Sequence, residues 1–321
     1  MLNNLIELHC HLDGAISVQS ARKLARAQGI PAPWDNAAFT EMMSVSPDCR
    51  DLNTFLEKFA FPNTLLQTET GVRLAVANLL DELAQQGVIY AEIRFAPQLS
   101  CDLGLTQEQV VRAAVEGLRL GNIPANLILC CMRGAAHGKN FETVRLCREY
   151  LGRGVVAADL AGAEALFPTA DYAEEFALAR KLGVPFTIHA GEAAGAESIR
   201  DALGFGASRI GHGIRAREDE AVTARLAREH IALEMCPTSN LETCACDTLE
   251  NYPIREYLAR GIPVTVCTDD PVICGTDLRR EWKILQDAFG FTAEEIREIN
   301  RAAVRHSFAC AELKEALLAK M

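Results

Sequence analysis

The chain has 321 residues, 49% hydrophobic and 23% charged, which fits a globular fold with a sizeable core and excludes a disordered or fibrous polymer. A net charge of -11 and a pI near 5.2 would repel a phosphate backbone, so nucleic-acid binding through a basic surface is excluded and a small substrate is the default. No apolar run reaches the roughly 18 residues that span a bilayer, and MLNNLIELHC has neither the n-region nor the h-region of a signal peptide, so we expect no membrane association and a cytoplasmic location.

Short apolar or β-branched runs predict eight strands, at 4–10, 88–95, 126–132, 154–160, 184–189, 207–211, 231–236 and 262–268. The first leads into ELHCHLDG, residues 7–14. Its His9 and His11 lie at i and i+2, which share one face of an extended strand. Taken alone, the pair reads equally as hydrogen-bonded histidines or as two imidazoles sharing a metal. Residues 12–87 form a connection far longer than one crossover helix. Within it TFLEKFAFPNTLL spaces Phe55, Leu56, Phe59, Phe61 and Leu65 for helical contacts, suiting either packing on the body of the protein or a lid over a flat substrate. In strand 2, Glu92 and Arg94 share a face and read as a structural ion pair.

Helical periodicity recurs between the strands, as at 108–120 and 172–182. Gly87, Gly183 and Gly261 stand where helices end before strands, as left-handed caps. Eight βα repeats without an obvious linker favour a single domain, 1–321, with the closed (β/α)8 TIM barrel fold and extra helices between strands 1 and 2. No glycine-rich phosphate loop supports a nucleotide fold.

In such a barrel chemistry gathers at the C-terminal ends of the strands. The polar residues sort accordingly: His9, His11 and Asp13 after strand 1, Asp159 and Gly162 at strand 4, His189 and Glu192 at strand 5. His212 ends strand 6, Thr238-Ser239-Asn240 follows strand 7, and Asp269-Asp270 follows strand 8. Four of the chain's seven histidines fall at these ends. His230, at the end of a helix, reads as a C-terminal dipole partner, and His137 and His306 have no partner in view.

The twelve cysteines read as reduced, several of them inside apolar strand-like runs. Cys244-Ala-Cys246 lacks the second pair that a structural zinc site needs. Neither H-E-x-x-H nor the cytidine-deaminase signature is present. Three imidazoles and a carboxylate are nevertheless a suitable set for one Zn2+, and hydrolysis is the chemistry it serves. The lysine that bridges two metals in many barrel hydrolases is missing from Val155-Val-Ala-Ala-Asp159, which favours a single ion.

Taken in order, ELHCHLDG, TFLEKF, VIYAEIRFAP, LILCCMRG, DLAG, HAGE, GHG, CPTSN and TDDP resemble the adenosine deaminase family, in the mononuclear branch of the amidohydrolase superfamily. The resemblance implies zinc bound by His9, His11, His189 and Asp269, with Glu192 donating a proton to purine N1 and His212 orienting or deprotonating the attacking water. It also implies substrate contacts from His11, from Asp13 to the ribose 5'-hydroxyl, from the Gly162 backbone N–H to N3, and from Asp270 to N7. Adenine-deaminating relatives tend to read HLEG, so HLDG implies adenosine and 2'-deoxyadenosine as substrates. Adenine or aminodeoxyfutalosine are alternatives within the family, and a cyclic amide is the alternative outside it. Two stretches depart from the family: Ala163 and then Glu164 follow DLAG, where an acidic residue often comes directly after the glycine. CPTSN replaces the CPWSS-like form of animal members, so no contact from strand 7 is carried over.

Overall fold

The computed structural model describes residues 3–32, 35–46, 55 and 57–321. All eight expected strands are present: β1 (Leu5–His11), β2 (Val88–Phe95), β3 (Ala125–Met132), β4 (Val155–Ala161), β5 (Thr187–Ala190), β6 (Arg209–His212), β7 (Ala232–Met235) and β8 (Val264–Val266). The later four are shorter than their apolar runs, because the flanking residues turn into loops. Every ladder is parallel, in the orders β1-β2-β3-β4 and β5-β6-β7-β8. Strands this buried read as continuous apolar runs, and all seven residues of β4 are buried.

Backbone bridges join the edges of the two sheets. Ala158 of β4 pairs with Phe186, just before β5, and its N–H donates to Pro185 O at 2.9 Å. On the other side Cys10 of β1 pairs with Asp269, beyond β8; His11 N–H donates to Asp269 O and Asp269 N–H to His9 O, both at 2.8 Å.

Helices alternate with the strands and carry the expected signals. Thr106 forms a capping box with Gln109 at the start of helix Gln107–Leu118, and Thr292 does so with Glu295 for Ala293–His306. Helix Ala173–Leu182 ends at Gly183 with φ 68°, and Gly87 and Gly261 also lie in the left-handed region. His230 caps helix Glu220–Glu229 with φ 52°. The main apolar cluster lies between sheet and helices, from Leu5 and Ile93 to Phe176 and Trp282. A second cluster joins Ile6, Leu8 and Tyr90 to Val304 and Leu317 of the last two helices.

The inward faces of the strands are strongly polar, and this corrects the pairing expected in β2. Glu92 and Arg94 do share a face, but each binds across to other strands. Arg94 pairs with Asp159 at 3.0 Å and Glu234 at 2.7 Å, while Glu92 pairs with Arg209 at 2.7 Å. Arg209 Nε also reaches Glu234 at 2.6 Å. Charges this buried persist only when matched by partners and hydrogen bonds. His137, expected to be alone, pairs through Nδ1 with the buried Glu175.

Helices Val18–Gln28, Asn36–Met43, Ala60–Leu65 and Glu69–Gln85 fill the connection from β1 to β2. Its predicted apolar residues divide by task. Phe61 packs edge-on against Phe39 and Leu65 is fully buried, whereas Phe55 and Phe59 border a cavity and pack with Ile273 and Cys274. Leu56 lies outside the described residues. The described cysteines are free thiols; Cys10 is buried in the main core, Cys246 is buried and Cys244 exposed.

Candidate active site

The strand geometry brings the histidines of β1 together with residues from the far end of the chain. His9 and His11 point the same way. The four donor atoms of His9, His11, His189 and Asp269 lie within 4.8 Å of one another. His9 Nε2 is 3.0 Å from Asp269 Oδ1 yet buried without a hydrogen-bond partner. His11 Nε2 faces His189 Nε2 at 3.1 Å and Asp269 Oδ1 at 3.3 Å.

The opposite ring nitrogens are held from behind: His9 Nδ1 lies 2.8 Å from Glu234 Oε2, and His189 Nδ1 3.0 Å from Asp159 Oδ2. Carboxylates placed this way fix the tautomer and aim Nε2 forward, the usual outer arrangement of imidazole ligands. Burial pushes His11 well below its ordinary pKa, leaving a neutral imidazole with a free lone pair. The donor set and the orphaned His9 Nε2 therefore fit a divalent ion of zinc's preferences. A second grouping, His212 with Cys236 and Asp269, fits less well: burial pushes the Cys236 thiol well up, and its Sγ rests on Glu234 O.

Beside this set is a cavity of about 260 Å3. Every other predicted site residue lines it, and only His9 stays fully buried behind the wall. Glu192 Oε1 accepts from Thr243 Oγ1 at 3.0 Å, and its Oε2 lies 3.6 Å from His212 Nε2. Burial first, and then the charges of Asp269 and Glu164, raise the Glu192 pKa to about 8. His212 is pushed well down by burial and is thus neutral. Its Nδ1 is 2.9 Å from Asn240 Nδ2, and its Nε2 is 4.0 Å from Asp269 Oδ2. Asn240 Nδ2 is a donor, so Nδ1 accepts and Nε2 carries the proton.

Two further carboxyl groups line the cavity. Asp13 Oδ1 and Asp270 Oδ1 are both buried without partners, and such orphaned atoms call for a ligand. Burial raises Asp13 to about 6; burial, with the charges of Asp269 and Asp13, raises Asp270 well above the usual range. Gly14 separates them, and a Cβ there would fall 1.8 Å from Asp270 Oδ1. At Gly162 an added Cβ would meet Met132 Cε at 3.3 Å, a contact that side chain can relieve. Its φ of 105° is the stronger reason for glycine.

His212 and Asp269 themselves hold left-handed backbone, φ 61° and 62°. Non-glycine residues adopt it at a cost of roughly 1–3 kcal/mol, and such residues concentrate at functional sites.

The sequence reading missed the contribution of strand 7. Ser239 Oγ donates to Asp269 Oδ2 at 2.6 Å, Asn240 sets the ring of His212, and Thr243 holds Glu192. The polar run after β7 was the available signal, but helix Pro237–Glu242 decides which of its residues turn inward. Glu164, too, was noticed only as a departure from a motif, although its carboxylate gathers the backbone of the loop after β5.

The family model described as adenosine deaminase matches residues 5–321. An adenosine deaminase from Haemophilus ducreyi is 45% identical, over 98% of this chain and 94% of its own length. Another, from Enterococcus faecalis, is 35% identical over 98% and 95%. The crystal structure of an adenine deaminase from Arthrobacter aurescens superposes with a TM-score of 0.88 at 28% identity, covering 99% of this chain and 98% of that one. With the match running nearly end to end and the His/His/His/Asp cluster in place, the chain belongs to the adenosine deaminase family.

Proposed function

We propose that this chain is a zinc-dependent hydrolase that converts adenosine and 2'-deoxyadenosine to inosine and deoxyinosine, releasing ammonia. The observation that carries the reading is the pairing of Glu192, its carboxyl pushed up to about 8, with a neutral His212 directly beside four converging metal donors. His9, His11, His189 and Asp269 would hold one Zn2+, which supplies Lewis acidity and makes water nucleophilic at neutral pH.

The chain's own groups supply the rest. His212, whose Nε2 carries its proton toward the site, is placed to orient the attacking water by donating to its oxygen. As water adds at C6, Glu192 delivers its proton to N1. One of the water's two protons passes to the amino nitrogen, which leaves as ammonia as the C6–N6 bond breaks, and the other restores the Glu192 carboxyl while the oxygen becomes the 6-oxo group. Asp270 keeps its proton under burial and can donate to N7, an acceptor. The Gly162 N–H faces N3.

Asp13, raised only to about 6, is chiefly ionised at pH 7 and accepts from the 5'-hydroxyl. The same charge disfavours a 5'-phosphate. Phe55 and Phe59 form the apolar wall against the flat base, which supports a lid role for the helices between β1 and β2.

The wider reading is a single domain, 1–321, built as a closed (β/α)8 barrel. The backbone bridges at both sheet edges and the apolar cluster running from Leu5 to Ile299 support it. A cytoplasmic location is supported by the free thiols, and no helix among the described residues is long and apolar enough to cross a membrane. The test is zinc-loaded protein offered adenosine, 2'-deoxyadenosine, adenine, AMP and aminodeoxyfutalosine. Adenosine and its deoxy form should be turned over best, and failure to form inosine overturns the reading.

A further inference from the structure

Between β4 and the loop after β5 lies a buried carboxylate that the chemistry above does not use. Glu164 is only 2% exposed. Its Oε1 accepts from Gly191 N–H at 2.7 Å and from Ser198 Oγ. Its Oε2 accepts from Glu192 N–H at 3.0 Å, Ala193 N–H at 2.7 Å and Ala194 N–H at 2.9 Å. Four successive backbone donors thus point at one side chain, the concave arrangement by which peptide N–H groups cradle an anion. The four backbone contacts all donate to Glu164, the pattern that suits an acceptor-only side chain.

A guanidinium secures the other end of the same loop. Arg133 Nη2 donates to His189 O at 2.7 Å and Thr169 Oγ1 at 2.9 Å, and Thr169 Oγ1 lies 2.7 Å from Ser198 Oγ. Arg133 therefore holds the backbone at His189, and Glu164 holds residues 191–194. The two act on opposite sides of the step from metal ligand to proton donor.

We infer that Glu164 is the positioning residue for Glu192, folding the backbone of residues 191–194 around its own carboxylate so that the Glu192 side chain is presented to the substrate. Thr243 meets the end of that side chain, and Glu164 gathers the N–H side of the backbone where it starts, while Arg215 holds the carbonyl side, its N–H donating to Gly191 O at 3.0 Å and its Nε to Glu192 O at 3.1 Å. Charge-assisted bonds to backbone N–H groups are the strong kind, and a displacement of about 1 Å at a reacting group costs about 100-fold in rate. The residue directly after Gly162 is Ala163, whose side chain takes no part in this cradle; the anchoring carboxylate is one position further on.

The inference rests on the deaminase reading, so the test includes a measurement that needs no substrate. Glu164→Gln puts an amide NH2 where an acceptor stood, turning it against several of the backbone donors. Amide hydrogen exchange at residues 191–194 should speed up at least tenfold in the zinc-loaded variant, with zinc content unchanged because the contact of Arg133 with His189 O survives. On adenosine, kcat should fall about 10- to 100-fold while KM stays within threefold. A purely structural role would instead lower the melting temperature and leave kcat per folded molecule intact.

Glu164→Asp keeps the charge on a shorter stem. It should give intermediate exchange and intermediate kcat, and it carries the same measurements should the glutamine variant fold poorly. Exchange at 191–194 that matches the unsubstituted protein in the variant measured overturns the inference. So does a kcat within twofold. If the unsubstituted protein forms no inosine, the deaminase reading fails while the exchange result still decides whether Glu164 orders the loop.

Discussion

Replacing Glu192 with glutamine isolates proton donation from shape. The amide oxygen can still accept from Thr243 Oγ1, now 3.0 Å from Glu192 Oε1, and the amide nitrogen occupies the Oε2 position 3.6 Å from His212 Nε2. Glutamine retains an N–H to point at purine N1, so ground-state binding is largely kept, but it has no acidic proton to transfer. General acid catalysis is worth about 100- to 10,000-fold, or about 3–5.5 kcal/mol of transition-state stabilisation. We therefore expect kcat to drop by that factor with KM within about threefold, and zinc content to be unchanged because Glu192 lies outside the four-donor cluster.

The pH profile sharpens the same test. A donor whose pKa is raised from 4.5 to about 8 holds its proton below that value and loses it as pH rises through it. The kcat/KM of the unsubstituted protein should thus fall about tenfold per unit on the alkaline side. A cation held at Asp269 offsets part of the charge that raises Glu192, which puts the limb at or below about pH 8. Conversion of adenosine to inosine, followed by absorbance across pH, reads both quantities. A glutamine variant within tenfold of normal kcat, or one that keeps the alkaline limb, refutes the assignment.

Asp13→Ala should reduce kcat/KM for adenosine selectively over adenine, by about 10- to 100-fold for one lost charge-assisted hydrogen bond; an unchanged ratio of the two substrates counts against the ribose contact. Gly14→Ala drives a methyl to within 1.8 Å of Asp270 Oδ1, so the carboxyl must swing out of the cavity. Turnover should fall more than about tenfold with zinc retained, and normal kinetics would show that Asp270 is not needed where it stands. Glu234→Ala leaves His9 Nδ1 unsupported and strips Arg94 and Arg209 of a shared partner. Zinc affinity should weaken about 10- to 100-fold, and urea unfolding should register a loss of about 3–5 kcal/mol. Unaltered zinc retention under chelator competition contradicts the outer-ligand role of Glu234.

Much of the site could be read from the sequence because parallel strands carry their chemistry at one end, and a strand's period of two puts residues such as His9 and His11 on the same face. The same logic misled at Glu92 and Arg94. Shared direction put both inside the sheet, but their partners come from β4, β6 and β7, and no spacing along β2 encodes that. Glu164, Asn240 and Thr243 were harder still. Each works by reaching a backbone or ring that is distant in sequence, and their residue types are ordinary for loops. The split of the β1–β2 connection, with Phe61 and Leu65 in the core and Phe55 and Phe59 on the cavity, likewise depends on how its helices turn.

The bridge between Cys10 and Asp269 has a consequence for how the protein comes into being. Two imidazoles are made within the first strand, but the carboxylate that completes their set is made only after the eighth. It reaches them by laying its own backbone alongside Cys10, bonded to His9 O and to the His11 N–H. A growing chain therefore carries an unfinished chelator until its eighth strand has been made, and full metal affinity arrives only when the first and eighth strands zip together. Zinc added during refolding should accordingly act late, as a clasp on that seam, and protect the amides of His11 and Asp269 from exchange before any others nearby.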